Sequence, residues 1–274
     1  MLGFFDMALF AVLGLTAGLL SGLFGIGGGM VIVPGLFYLF HLLDIPHEWL
    51  MHMAAGSSMC IMVFTSSSSV WSHHLKGGVQ WRIFLRIIPA IAVGVVVGKL
   101  VAGHLDTEIL ELIFGLFLLF VSLKILLDWL PKPENPGKPK HWLTNLVGTI
   151  LGLKSGVLGI GGGAISVPFL LYSGLPMSQA SGTSASFTLP IAIVGTLSCL
   201  VLKTRAELIP LSTGTIYWPA VALVAPFTMM GAPLGARLCH QLSSSNLKRW
   251  FAAFLLFLSV RLLIEATQSF MAIA

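Results

Sequence analysis

Charge is what this chain has least of. Charged side chains make up 9% of its 274 residues, with ten carboxylates in all, where a soluble domain carries about a quarter. That scarcity excludes an ordinary water-soluble fold. Hydrophobic residues reach 56% and the mean hydropathy is +0.95, so lipid is the expected solvent for most of the surface. Cysteine is scarce as well: Cys60, Cys199 and Cys239 stand far apart in apolar stretches. They offer neither a disulfide framework nor metal-ligand spacing and read as small core residues. The N-terminus has Asp6 where a signal peptide carries Lys or Arg, and it reads as a retained first helix. The net charge of +5 is spread over loops and helix ends, which suits the positive-inside bias of a membrane protein and not a nucleic-acid footprint.

Apolar segments run roughly over 4–24, 30–43, 50–71, 83–104 and 108–130, and again over 143–159, 164–175, 178–202, 212–240 and 246–270. Between the two sets lies a polar stretch with four prolines, Pro131, Pro133, Pro136 and Pro139, which has no apolar face and reads as a linker. The chain therefore divides into a first transmembrane repeat over 1–130, a Pro/Lys-rich linker over 131–142 and a second repeat over 143–274. The expected class is an all-α polytopic membrane protein of two pseudo-symmetric repeats, each of about five helical segments.

The residues repeat as well as the pattern. The run from Gly18 to Gly29, ending Gly25-Ile26-Gly27-Gly28-Gly29 and followed by Pro34, aligns without a gap on the run from Gly152 to Gly163, ending Gly159-Ile160-Gly161-Gly162-Gly163 and followed by Pro168. The offset is 134 residues. Gly56-Ser57-Ser58 corresponds to Gly182-Thr183-Ser184, and Gly94 with Gly98 to Gly231 with Gly235. Five crossings per half make the halves inverted; four make them parallel. Lys203 and Arg205 favour four, whereas Arg237, Lys248 and Arg249 favour five. The second segment, about 14 residues, is short for a full crossing. Inverted halves are the reading adopted here.

Four glycines in five residues cannot sustain a helix, since each costs about 1 kcal/mol relative to alanine in a helix interior. Non-helical backbone at membrane depth survives only against protein or a water-filled cavity. A short helix beginning after each run, with Pro34 or Pro168 in or near its first turn, aims free N–H groups and the positive end of its dipole at the glycines. That is an anion site made from backbone, and paired helix breaks are the sequence mark of a transport site between repeats. The candidate binding residues are therefore Gly25, Gly27, Gly28, Gly29, Gly159, Gly161, Gly162 and Gly163. Close helix packing is the alternative for any glycine, and it is the preferred reading of Gly94, Gly98, Gly231 and Gly235. A dinucleotide fingerprint would need a βαβ unit that is not here.

The hydroxyls of Ser57, Ser58, Thr183 and Ser184 can donate to an oxyanion without adding charge; interhelical hydrogen bonding is the alternative. Lys154 sits near mid-depth of its segment, where a charge is expensive and functional by default. His73, beside His74 and Lys76, reads as a surface histidine or as one that gates access or carries a proton. Lys124 with Asp128, and Arg261 with Glu265, are opposite charges four apart that neutralise each other near helix ends. Every carboxylate falls in a loop or near a segment end, so no buried Asp or Glu is expected to relay protons. That absence suggests uniport or loosely coupled export of an anion, which an interior negative by 100 mV favours by about 2.3 kcal/mol per charge.

With these residues in place the chain resembles the TauE/SafE family of sulfite and organosulfur-anion exporters. The resemblance rests on the doubled glycine runs with Pro34 and Pro168, on the stretch from Gly56 to His73 and on Gly77-Gly78-Val79-Gln80-Trp81-Arg82. It implies export, or in some members uptake, of sulfite, sulfoacetate, thiosulfate or a similar oxyanion by alternating access, in a bacterial inner membrane. Lys154 departs from the apolar or small residue commoner at that position. The partners expected are a small anion and the bilayer, with no nucleic acid and no cofactor or metal; a homodimer is compatible with the sequence. An anion channel of the same fold is the rival reading. An intramembrane enzyme would need convergent catalytic groups that do not present themselves.

Overall fold

The computed structural model describes residues 3–24, 27–127, 141–202, 209–238 and 244–273. The first set of apolar segments forms α1 (Phe4–Phe24), α2 (Gly29–Leu42), α3 (Leu50–Leu75), α4 (Trp81–Ala102) and α5 (Thr107–Leu126). The second forms α6 (His141–Leu158), α7 (Gly163–Tyr172), α8 (Met177–Val201), α9 (Trp218–Leu238) and α10 (Ser244–Ile273). A two-stranded hairpin, β1 (Ser212–Thr213) against β2 (Ile216–Tyr217), precedes α9. Seven helices among the described residues are long and apolar enough to cross a bilayer, while α2 and α7 are shorter apolar helices. The protein is a polytopic all-α membrane protein. Phe120, Leu197, Phe257 and Leu85 point outward, as side chains facing hydrocarbon do.

Small residues decide which helices meet. With no hydrophobic drive between helices in lipid, close backbone approach supplies the attraction. A Cβ on Gly14 of α1 would lie 2.7 Å from the carbonyl oxygen of Val224 on α9, and one on Gly231 would lie as close to that of Leu15. The same seam joins α4 to α6, where a Cβ on Gly152 would stand 2.9 Å from the Cα of Gly94 and one on Gly156 3.0 Å from the Cα of Gly98. Both pairs run in the same direction. Thus α1 packs on α9, α6 on α4 and α5 on α10, each contact joining one set of five helices to the other.

Helices α3 and α8 form the centre and pack on each other. They run in opposite directions: Cys199 near the end of α8 shares a cavity with His52 at the start of α3, whereas Gly182 near the start of α8 abuts His73 near the end of α3. Two ends of the bundle follow. A first mouth gathers His52, Thr107 and Thr215, and an opposite mouth gathers His73, Gly78 and Gln80. Helix α2 folds back antiparallel on α1, with Gly35 against Leu13 and Gly28 near Ala17 and Ser21. It returns to the first mouth, where the ring of Phe40 meets that of Tyr217 edge-on at 5.5 Å. Helix α7 ends instead at the opposite mouth, ahead of α8.

Candidate functional site

The two glycine runs meet at the middle of the bundle. A Cβ on Gly29 would stand 2.8 Å from the Cα of Ile160 and 2.9 Å from the Met62 sulfur, and one on Gly159 would fall on Ala55, 2.6 Å from its Cβ. A Cβ on Gly27 would meet the Thr188 methyl at 2.5 Å. Met62 and Thr188 lie near the midpoints of α3 and α8, so the crossing sits at mid-depth. Gly27, Gly28 and Gly159 hold φ of +79°, +76° and +70°, a region that costs other residues about 1–2 kcal/mol. Gly25 lies outside the described residues.

The breaks match in place but not in conformation. Gly28 caps α2 in the left-handed region and its carbonyl accepts from the N–H groups of Val31 and Ile32 at 2.9 and 3.0 Å. Gly162 caps α7 at φ −75°, in the ordinary helical region, and accepts from Ile165 and Ser166 at 3.1 and 3.0 Å. Alanine would fit at Gly162, where the nearest atom to a Cβ is 3.4 Å away. Gly29 and Gly163 are the first residues of α2 and α7, and the caps leave the N–H groups of the first two residues of each helix without a helical partner. Pro34 and Pro168, expected in or near the first turn, are each the sixth residue of their helix. They fall in the second turn, because the helices begin at the last glycine of each run.

Lys154 serves the break directly. Its Nζ donates to the Gly161 carbonyl at 2.8 Å and sits 4.9 Å from the centre of the Phe117 ring. The ammonium thus satisfies an acceptor that the missing helical turn leaves open, and its charge is spread over an aromatic face.

The four predicted hydroxyls divide into two pairs. Ser57 accepts from the N–H of Tyr217 at 2.9 Å, and Thr183 accepts from the N–H of Gln80 at 3.0 Å. Each secures the loop that leads into a helix of the opposite set, one at either mouth. The adjacent glycines make room: a Cβ on Gly56 would fall on Thr215, and a Cβ on Gly182 would lie 2.9 Å from the Gly78 carbonyl carbon. Ser58 and Ser184 turn the other way. Ser58 shares a helical face with Ala55 and Met62, which touch Gly159 and Gly29. Ser184 shares one with Ser181 and Thr188, and its hydroxyl pairs with that of Ser166 at 2.7 Å.

Around this crossing several hydroxyls have nothing to bond. Ser21, Ser58 and Ser155 are fully buried, and none has a hydrogen-bond partner among the described residues. Ser21 lies beside Gly28, and Ser155 is one turn before Gly159, whose N–H its carbonyl accepts at 2.9 Å. Ser181, near the opposite mouth, is a further buried hydroxyl without a partner among the described residues. An unsatisfied buried hydroxyl costs about 1–3 kcal/mol.

A cavity of about 260 Å³ opens at the first mouth and leads toward this crossing. His52, Lys99, His104, Cys199 and Thr215 line it, and Ala55 and Val157 beside the second break form part of its wall. Lys99 is buried and makes no ion pair among the described residues. Among the described residues no carboxylate lines this space. Sequence reasoning passed over Lys99 because it reads as a residue of the last turn of α4. His73 is buried at the opposite mouth, its carbonyl accepting from Lys76 and Gly78 at 3.2 and 2.9 Å, and not a surface histidine. It stands far along α3 from the crossing. No group of three or more His, Cys, Asp or Glu among the described residues is placed to hold a metal ion.

One expectation fails outright. Glu111 on α5 is a carboxylate with no exposed surface, and neither of its oxygens has a hydrogen-bond partner among the described residues. Its sequence position, four residues into a helix, resembles a segment end. The packing of α5 against α10 buries it all the same.

These features define an α-helical membrane protein whose two broken helices meet among buried donors at mid-depth, with a cationic cavity on one side. The chain belongs to the sulfite exporter TauE/SafE family, whose sequence model matches residues 10–262. It is 36% identical over 256 residues to a probable membrane transporter protein of Haemophilus influenzae, an alignment covering 93% of this chain and 97% of that one. A probable membrane transporter protein of Methanocaldococcus jannaschii is 26% identical over 91% of this chain and 92% of its own. YunE of Bacillus subtilis, also a probable membrane transporter protein, is 24% identical over 96% of this chain and all of its own.

Proposed function

We propose that this protein carries a small sulfur oxyanion such as sulfite, sulfoacetate or thiosulfate across a bacterial inner membrane, by alternating access at the crossing of the two breaks. The observation that carries the reading is the set of fully buried hydroxyls of Ser21, Ser58 and Ser155, without partners among the described residues, around Gly27, Gly28, Gly29 and Gly159. First-turn N–H groups suit an oxyanion, and the hydroxyls can donate to it without adding charge. The cavity with Lys99, lined by no carboxylate among the described residues, supplies a cationic approach from the first mouth. Family membership and the names of its relatives agree with transport.

The exchange of helix partners supports inverted repeats: α1 on α9 mirrors α6 on α4, and α2 returns to one mouth while α7 ends at the other. Lys76, Arg82 and Arg86 lie by the opposite mouth, where α5 also ends, and Lys132, Lys138 and Lys140 come next in the sequence. The positive-inside rule then turns that mouth to the cytoplasm and the Lys99 cavity to the exterior.

The test is anion-induced charge movement in proteoliposomes, with sulfite, sulfoacetate, thiosulfate, sulfate and chloride in turn. A saturable response to a sulfur oxyanion is expected. Ser58→Ala should raise the half-saturating concentration roughly tenfold or more, because a hydrogen bond to a charged group is worth about 1.5–3 kcal/mol. It should leave the thermal midpoint equal or higher, since an unpartnered polar group is removed. Saturable transport unaltered in Ser58→Ala would remove the hydroxyl from the site, and flux without saturation would make the protein a channel.

A further inference from the structure

Beside the first mouth, apart from the crossing, a histidine stands between two carboxylates. His47, in the short helical turn before α3, places Nδ1 3.6 Å from Glu108 Oε1 and Nε2 3.5 Å from Glu111 Oε1. The three groups form a gradient of exposure. The His47 side chain is 43% exposed, that of Glu108 16% and that of Glu111 not at all. Both oxygens of Glu111 lack a hydrogen bond among the described residues.

A fully buried carboxylate without hydrogen bonds is stable only when neutral or paired with a cation. The charged and titratable neighbours on the elements packed around it decide which. Helix α10 brings Arg261 and Glu265, 3.9 Å apart, and the other Glu265 oxygen is buried without a hydrogen-bond partner among the described residues. Helix α2 brings Tyr38 and His41, which line a cavity of about 350 Å³ with His47, Arg261 and Glu265. The turn before α3 adds Glu48, and α3 adds His52. Arg261 is engaged toward Glu265, which leaves His47 as the cation nearest Glu111.

We propose that Glu108, His47 and Glu111 form a proton-loading relay, with Glu111 the buried proton-binding site. A proton enters the imidazole at Nδ1 from the Glu108 side. The Nε2 proton then passes to Glu111 Oε1, leaving a neutral imidazole and a neutral carboxylic acid. Glu111 follows Leu110, which lines the Lys99 cavity. One turn earlier, Thr107 bonds the Glu48 carbonyl at 2.6 Å and stands 3.4 Å from His52, another cavity residue. Neutralising Glu111 removes negative charge from the flank of a cationic cavity, so proton and anion bind with positive linkage. This linkage, unlike the relay, rests on the transport reading above.

Infrared difference spectroscopy of the full-length protein in lipid, titrated across pH, decides the relay. The expected result is a protonated-carboxyl C=O band that titrates in the wild type and is lost in Glu111→Gln. His47→Gln, changed at the exposed member, should keep that band and shift its midpoint. Absence of a titrating carboxyl band, or one unaltered in a folded Glu111→Gln, would overturn the relay. In proteoliposomes, thiosulfate flux, whose substrate charge is constant over the range, should fall as pH rises in the wild type by about fivefold or more. It should be flat with pH in Glu111→Gln. A pH profile that survives Glu111→Gln unchanged would overturn the linkage. Silence of the wild type to every anion of the panel would count against the transport reading alone, because the infrared arm still judges the relay.

Discussion

Gly159 and Gly162 are three residues apart in the same run, yet the structure sets them at opposite ends of tolerance. Gly159 holds φ +70°, and an added Cβ would fall among the Cα, Cβ and carbonyl oxygen of Ala55. The left-handed backbone costs alanine about 1–2 kcal/mol, and displacing a backbone neighbour in a packed core adds about 1–3 kcal/mol. Gly162 holds φ −75° with 3.4 Å of clearance to Ile191, so Gly162→Ala should change stability by less than about 1 kcal/mol, in either direction. At about 2–4 °C per kcal/mol, Gly159→Ala should lower the thermal midpoint by roughly 4–20 °C, and Gly162→Ala by no more than about 4 °C. Thermal unfolding of both purified variants in one detergent, followed by helical circular dichroism, makes the comparison. The saturable anion response is then recorded for whichever variants reconstitute. Equal losses for the two, or a greater loss at Gly162, would refute the assignment of strain to the one position and freedom to the other.

Two further outcomes follow from the same geometry. Gly27→Ala should be destabilising through both its φ of +79° and the Thr188 methyl 2.5 Å from the new Cβ, and Thr188→Ser, which deletes that methyl, should recover the packing part of the thermal loss while the backbone part remains. Lys154→Met should lower the thermal midpoint, because it leaves the Gly161 carbonyl without its donor at a cost of about 1–3 kcal/mol; a change in anion affinity with an unchanged midpoint would instead place the ammonium on the substrate.

Much of the architecture could be read from the chain because helix breaks and small-residue seams are written in glycine and proline. The segment expected over 30–43 is α2 at Gly29–Leu42, and that over 178–202 is α8 at Met177–Val201. The expected boundary of the linker at 142 falls inside α6, which begins at His141; the rest of the linker lies largely outside the described residues. Hydroxyl roles were harder to read. Ser57 and Ser58 are adjacent, and only the helical phase fixed by Ala55 and Met62 tells which one faces the crossing. A usable signal was present: Gly77 and Gly214, both at positive φ, precede the residues that Thr183 and Ser57 hold, and they match between the halves. Glu111 left no trace of its burial, because its surroundings are made by α10, more than a hundred residues further along.

The cross-pairing of helices has a consequence for motion. Since α1 is seamed to α9, α6 to α4 and α5 to α10, the two sets of five helices are laced through each other like the fingers of clasped hands. Neither can swing as a body of its own without opening glycine seams in which backbone rests on backbone. On the proposed alternating-access reading, the moving parts are mixed blocks, each holding helices from both sets. On that reading the hinge positions are the joints inside each set, at 27–28 and 159–162, where a long helix gives way to a short one. A cross-link within one repeat, placed across such a joint, would arrest the cycle, whereas one tying α1 to α9 between repeats would ride along with a single block and leave it free.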